Sequence, residues 1–247
     1  MTAERLQADE LAGRLRDLFG DALVAVVLYG SAARGEYRPG GSDLNLLVIT
    51  HHLGIDDLRR ASALTREWVG EGNPPPLMLS EGEWLGSADV FPLEYSDIRD
   101  SHVLLAGRDP FEGVRIERRY LRHQLEHELR SKKIQLREAY LAAGEVPEEL
   151  GGLIVQSLSS FLTLFRGALR VAGASIPRDA AALIGEAAAQ IGFGESALLA
   201  VLEARDAGDP FPVHLDDPVA RGYLEAVERS ADWLDAFQPV ESTREEV

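Results

Sequence analysis

Two apolar runs separated by a glycine-rich spacer constrain this chain more than any other feature. Residues 22–29 read Ala-Leu-Val-Ala-Val-Val-Leu-Tyr, and residues 43–50 read Asp-Leu-Asn-Leu-Leu-Val-Ile-Thr. Short continuous runs rich in β-branched residues predict strands buried on both faces. The first run ends in Gly30-Ser31, and the second opens on Asp43. A glycine at a strand end lets backbone approach a ligand closely, because no Cβ stands in the way. The Ser31 hydroxyl and the amides that follow, at a predicted helix start, are donors suited to phosphate oxygens. Asp43 and Asn45 alternate with Leu44 and Leu46, so two polar side chains share one face at the start of the second strand. A metal held by Asp43 would face the phosphates gripped by the turn. Mg2+ suits such a place, since it takes few protein carboxylates and completes its shell with water and phosphate.

The remainder of the first half alternates helical and extended patterns. Thr2 to Phe19 carries a helical stripe of Leu6, Leu11, Leu15 and Leu18. Ile55 to Val69 predicts a helix ended by the Asn73-Pro-Pro-Pro run, and Leu77 to Leu79 a short third strand. Ser80 and Glu83 have capping-box spacing for a helix over Glu81 to Ala88. Phe91 to Ile98 and His102 to Ala106 predict further strands. From residue 114 onward the pattern is helical, with helices expected at 115–143, 147–172, 178–191, 195–207 and 217–237. Pro147, Pro177 and Pro218 sit near their starts and Gly144, Gly173 and Gly208 after their ends. The expected fold class is α+β: a mixed sheet flanked by helices over residues 1–110, an all-α helical bundle over 111–240, and a flexible tail over 241–247.

Composition narrows the function classes. With 45% hydrophobic residues in 247, the chain can bury a sizeable core without staples. Cysteine is absent, which removes disulfides and thiolate chemistry together. A net charge of −16 argues against a general nucleic-acid coat, because phosphate binding needs clustered cations. The sequence has no run of 18 apolar residues and no signal-peptide core after Met1, so the expectation is a cytoplasmic protein with no membrane partner.

The segment Leu28-Tyr29-Gly30-Ser31-Ala32-Ala33-Arg34-Gly35, followed by Gly41-Ser42-Asp43-Leu44-Asn45-Leu46-Leu47-Val48, resembles the DNA polymerase β-type nucleotidyltransferase superfamily. Its smaller members include the aminoglycoside nucleotidyltransferases. The family pattern is a hydrophobic strand, Gly-Ser, a spacer of about ten residues and Asp-x-Asp in a second strand; Gly30, Ser31, Gly35 and Asp43 match it. The resemblance implies a nucleotidyltransferase fold that binds a nucleoside triphosphate with Mg2+ and transfers a nucleotidyl group to an acceptor the sequence does not identify. Gly30, Ser31 and Arg34 form the expected phosphate-binding set, and Asp43 the metal ligand. Asn45 stands where the family has its second Asp. Its carbonyl oxygen can coordinate a hard cation, but the site loses one charge. The resemblance also implies a third acid in Leu77 to Leu79, which has none. Glu94, expected on an adjacent strand, is the remaining candidate for the base; a solvent-facing or arginine-paired Glu94 is the alternative. Two readings follow: residual transfer, or a degenerate family member serving as a nucleotide-binding or protein-interaction module.

A second feature is basic. Arg115, Arg119, Arg122, Arg130, Lys133 and Arg137 fall on one helical face with a single acid, Glu126. Arg122 and Lys133 are therefore candidates for binding nucleotide phosphates; the alternative is a solvated face tied by salt bridges. Arg122-His123 with His127 also fits the Arg-polar-x-x-x-His pattern of HEPN ribonuclease helical domains, so RNA stays open as a partner, as does a homodimer. His51, His52, His102 and His214 lack metal-ligand spacing. Trp68, Trp84 and Trp233 occupy apolar helix positions and are expected in the core or between domains.

Overall fold

A computed structural model describes residues 3–35, 37 and 43–237 of the chain. The Gly41-Ser42 step of the spacer and the charged tail from Glu241 lie outside the described residues. The described residues through Ile116 form one compact unit, and those from Glu117 form a second.

The first unit is α+β. Its elements run α1 (Ala3–Phe19), β1 (Leu23–Tyr29), α2 (Ser31–Arg34), β2 (Asn45–Thr50), α3 (Ile55–Gly70), β3 (Leu77–Ser80), α4 (Glu81–Gly86), α5 (Pro92–Asp100) and β4 (His102–Gly107). The sheet is mixed, in the order β3-β2-β1-β4, with β1 antiparallel to both β2 and β4, and β2 parallel to β3. Both faces are covered, which is why β1 and β2 read as continuous apolar runs instead of alternating. One core gathers Val26, Leu28, Leu46 and Val48 with Leu11, Leu15 and Trp68 from α1 and α3. The other gathers Val27, Leu47 and Ile49 with Trp84, Tyr95 and Ile98 from α4 and α5. The Trp84 and Tyr95 rings stack at 4.1 Å. The expected capping box is present: the Glu83 N–H donates to Ser80 Oγ at 3.3 Å, and the Ser80 N–H donates to the Glu83 carboxylate at 2.7 Å.

One element is corrected. Phe91 to Ile98 is not a strand; Pro92 opens helix α5, whose buried Leu93, Tyr95, Ser96 and Ile98 recur at three-residue spacing. A nine-residue segment this short carries both periods, and proline at the first helical position decides the choice because its φ is preset for a helix.

The second unit consists of α6 (Arg118–Ala143), α7 (Pro147–Ala172), α8 (Ala180–Ile191), α9 (Ser196–Ala207) and α10 (Pro218–Ala236). Gly144, Gly173 and Gly208 stand directly after helix ends, the last two in left-handed conformations that glycine adopts without a Cβ penalty. Leu121, Leu125, Leu129, Leu136 and Tyr140 form the buried face of α6. By length and composition α7 could cross a membrane, with a mean hydropathy of 1.3. It is instead packed among α6, α8, α9 and α10 as the core helix of its unit. Gly151 lies so close to the Phe211 carbonyl that a Cβ there would stand 1.6 Å from its oxygen, so only glycine fits this approach.

Candidate functional site

The β1–β2 corner is built by register. Tyr29, the last residue of β1, lies opposite Asn45 on β2 and opposite His102 on β4. Tyr29, Leu47 and Ile49 belong to the same core, so the period of two puts Asn45 on that face as well. Burial pushes the Tyr29 phenol above its ordinary pKa.

Gly30 then turns the chain into α2 with φ 78° and ψ −151°. This is a mirror-image extended conformation that other residues adopt only under strain. A Cβ on Gly30 would meet the side-chain nitrogen of Asn45 at 3.3 Å. The bare glycine thus lets the Asn45 amide rest directly against the turn. Ser31 opens α2 and is half-buried, and the Arg34 N–H donates to the Gly30 carbonyl at 3.2 Å. Asp43 is exposed just ahead of β2, while Leu44 between the two polar residues is fully buried.

Two residues outside the expected set hold this corner. Asn73, 8% exposed, accepts the Leu44 N–H through its side-chain oxygen at 3.2 Å. Its loop is itself held by Trp68, whose indole N–H donates to the Pro74 carbonyl at 2.9 Å. Asp97 on α5 pairs with Arg34 at 3.3 Å, with only 17% and 10% of the two side chains exposed. Asp97 belongs to α5, the segment that the sequence pattern predicts as a strand. Asn73 carries one usable signal, a lone polar residue before a proline run.

The structure brings Gly30 and Asn45 into contact, with Ser31 next in the chain and Asp43 two residues before Asn45. The other expected site residues have partners of their own. Glu94 is exposed in the first turn of α5, so the expectation that it enters from an adjacent strand is corrected. In the helical unit, the Arg122 guanidinium donates to the Leu234 carbonyl at 3.1 Å and lies 3.5 Å from Glu126. Lys133 lies 3.7 Å from Asp232, and Arg130 pairs with Asp235 at 2.7 Å. Arg137 pairs with Glu228. Arg115 precedes α6 and is not part of the helical stripe. His123 and His127 are exposed.

Donor chemistry limits what cation the corner can take. β3 reads Leu-Met-Leu-Ser and offers no carboxylate. Among the described residues, no three His, Asp or Glu converge on one metal position. One exposed carboxylate, Asp43, beside one amide, Asn45, fits a single Mg2+ that keeps most of its water and shares phosphate oxygens. It does not fit a pair of ions.

The family profile described as "Nucleotidyltransferase domain" matches residues 8–105, which run from within α1 to within β4 and include the corner. The match supports a nucleotidyltransferase domain of the DNA polymerase β type over these residues. No curated protein matches the chain. Among solved structures, a spectinomycin adenyltransferase from Enterococcus faecialis, determined with ATP and spectinomycin, is similar in fold. The match has a TM-score of 0.57 at 12% identity and covers 93% of this chain and 99% of that one. The likeness therefore extends beyond the nucleotidyltransferase domain into the helices that follow it. Within the domain, the Gly-Ser turn and α2 follow β1, and Asp43 precedes β2.

Proposed function

We propose that this protein binds a nucleoside triphosphate at the Gly30–Ser31 turn, with nucleotidyl transfer to a hydroxyl-bearing acceptor as the chemistry of its domain. The observation that carries this reading is Gly30 itself. Its positive φ gives a strand end whose backbone carries no side chain of its own, with the Asn45 amide resting against it. Ser31 presents a hydroxyl and an amide beside that opening, both suited to phosphate oxygens. Asp43 would hold Mg2+ through one carboxylate, and the ion would supply neutralisation of phosphate charge. ATP and an aminoglycoside-like acceptor are the first pair to test, because the fold relative was determined with ATP and spectinomycin. Arg34, Arg122 and Lys133 already have protein partners, and the reading does not rest on them.

A second reading, nucleotide binding without transfer, is favoured by one observation: Asn45 stands where the family has its second Asp, and β3 offers no carboxylate. Calorimetry with ATP, followed by an assay for pyrophosphate release with spectinomycin and related acceptors, separates the two. Binding with pyrophosphate release supports transfer, and binding alone supports the second reading. Absence of ATP binding at millimolar concentration would overturn both.

A further inference from the structure

We infer that Asn45 is a direct hydrogen-bond donor to a phosphate of the bound nucleotide, and that it makes binding largely independent of a divalent cation. The inference rests on the nucleotide reading above and specifies the chemistry by which that site holds its ligand.

The argument begins with what an amide does that a carboxylate does not. An ionised carboxylate accepts hydrogen bonds only, so beside a phosphate it repels unless a cation lies between them. An amide is neutral and carries two N–H donors, so it can meet a phosphate oxygen without an intermediary. In this structure the nitrogen of Asn45 is the atom turned toward Gly30, 3.3 Å from where a Cβ would stand. The donor and the open strand end therefore form one surface.

That donor is also held in place. Asn45 is the first residue of β2 and is paired with Tyr29 across the ladder. The residue before it is fixed by the hydrogen bond from the Leu44 N–H to Asn73, and Leu44 is fully buried. A half-buried amide on a pinned strand start loses little freedom when it takes a ligand, which is the condition for a donor that contributes to affinity. Asp43, by contrast, is exposed, and water screens its charge. Asp43 thus opposes a polyphosphate with a screened charge, and Asn45 offers it an ordered donor.

The test compares ATP affinity in Mg2+ and in EDTA for the intact chain, Asn45→Asp and Asn45→Ala. For the natural sequence the two dissociation constants are expected to agree within about threefold. Asn45→Asp keeps the shape and removes the donor, so its affinity should fall roughly tenfold or more in EDTA and recover in Mg2+. Asn45→Ala should weaken binding by a similar factor in both conditions, with no recovery. Circular dichroism melting curves for the three proteins show that the folds are comparable. ATP binding that requires Mg2+ in the natural sequence overturns this inference while leaving the nucleotide reading in place. Unchanged affinity of Asn45→Asp in EDTA does the same. No binding in either condition overturns both.

Discussion

On α6, Arg130 meets Asp235 at 2.7 Å and Lys133 meets Asp232 at 3.7 Å, whereas at the end of β1 the exposed Asp43 and half-buried Asn45 have no side-chain hydrogen bond or ion pair with any described residue. Both places are polar, and both stand out in the sequence. They differ in how the charge is used. The cations of α6 face the acids of α10 along two antiparallel helices and satisfy one another within the unit. The corner leaves Asp43 and Asn45 without such a partner among the described residues, beside a glycine whose conformation costs stability. Matched charges on neighbouring helices mark packing between them, and the corner is where the proposed ligand would sit.

Breaking the corner should have the largest effect. Gly30→Val puts a β-branched residue at φ 78° and a Cβ 3.3 Å from the Asn45 nitrogen. Strain of about 1–3 kcal/mol is expected, together with loss of measurable ATP binding. An unchanged calorimetric titration would move the site away from this turn.

The helical unit should fail first from the alkaline side. Burial raises the phenols of Tyr140 and Tyr223, which hold α6 to α10 and α10 to α7 through the Ala220 carbonyl and the Ser157 hydroxyl. In the unfolded chain a tyrosine ionises near pH 10, so above that pH the unfolded state loses protons that the folded state keeps. The stability contributed by these groups is thus present below about pH 10 and is lost as pH rises toward their raised folded values. Tyr95, pushed up to about 12, adds the same trend in the first unit. Urea unfolding at pH 8 and pH 11 should show the fall, and Tyr223→Phe should blunt it. A flat profile would mean that these phenols ionise freely in the folded protein.

Asn73→Ala sharpens the comparison by loosening the corner without touching it. The Leu44 N–H would be left buried and unsatisfied, at a cost of about 1–3 kcal/mol in chemical denaturation. ATP affinity should fall as well, because the start of β2 would no longer be held. Asn73→Asp keeps the acceptor oxygen, so Leu44 should remain held in that variant. Weakened ATP binding without any loss of stability in Asn73→Ala would contradict the pinning role.

The smallest effect is expected on α6. Arg130→Gln should lower stability by less than about 1 kcal/mol, with a loss that shrinks in high salt, and should leave ATP affinity unchanged. A salt-sensitive drop in ATP affinity would make the stripe a binding surface and erase the contrast with the corner.

Local chemistry was legible from the residues alone. The runs that became β1 and β2, the Ser80–Glu83 cap, and the glycines closing α6, α7 and α9 all act over a few positions in the chain, and their signals survive without a fold. The Gly30-Ser31 turn with Asp43 was legible for the same reason. What the tertiary structure decided is who meets whom. Residues 91–98 carry both helical and extended periods, and their place over the sheet, with Pro92 at the start, settled them as a helix. Asp97 reaches Arg34 across 63 residues, Asn73 reaches Leu44 across 29, and Arg130 reaches Asp235 across 105. No periodicity records such pairings, because they arise only when packed elements bring distant side chains within hydrogen-bond range. The contact between Gly30 and the amide of Asn45 belongs to the same class: both residues were conspicuous in the sequence, and only the antiparallel register of β1 and β2 put one against the other.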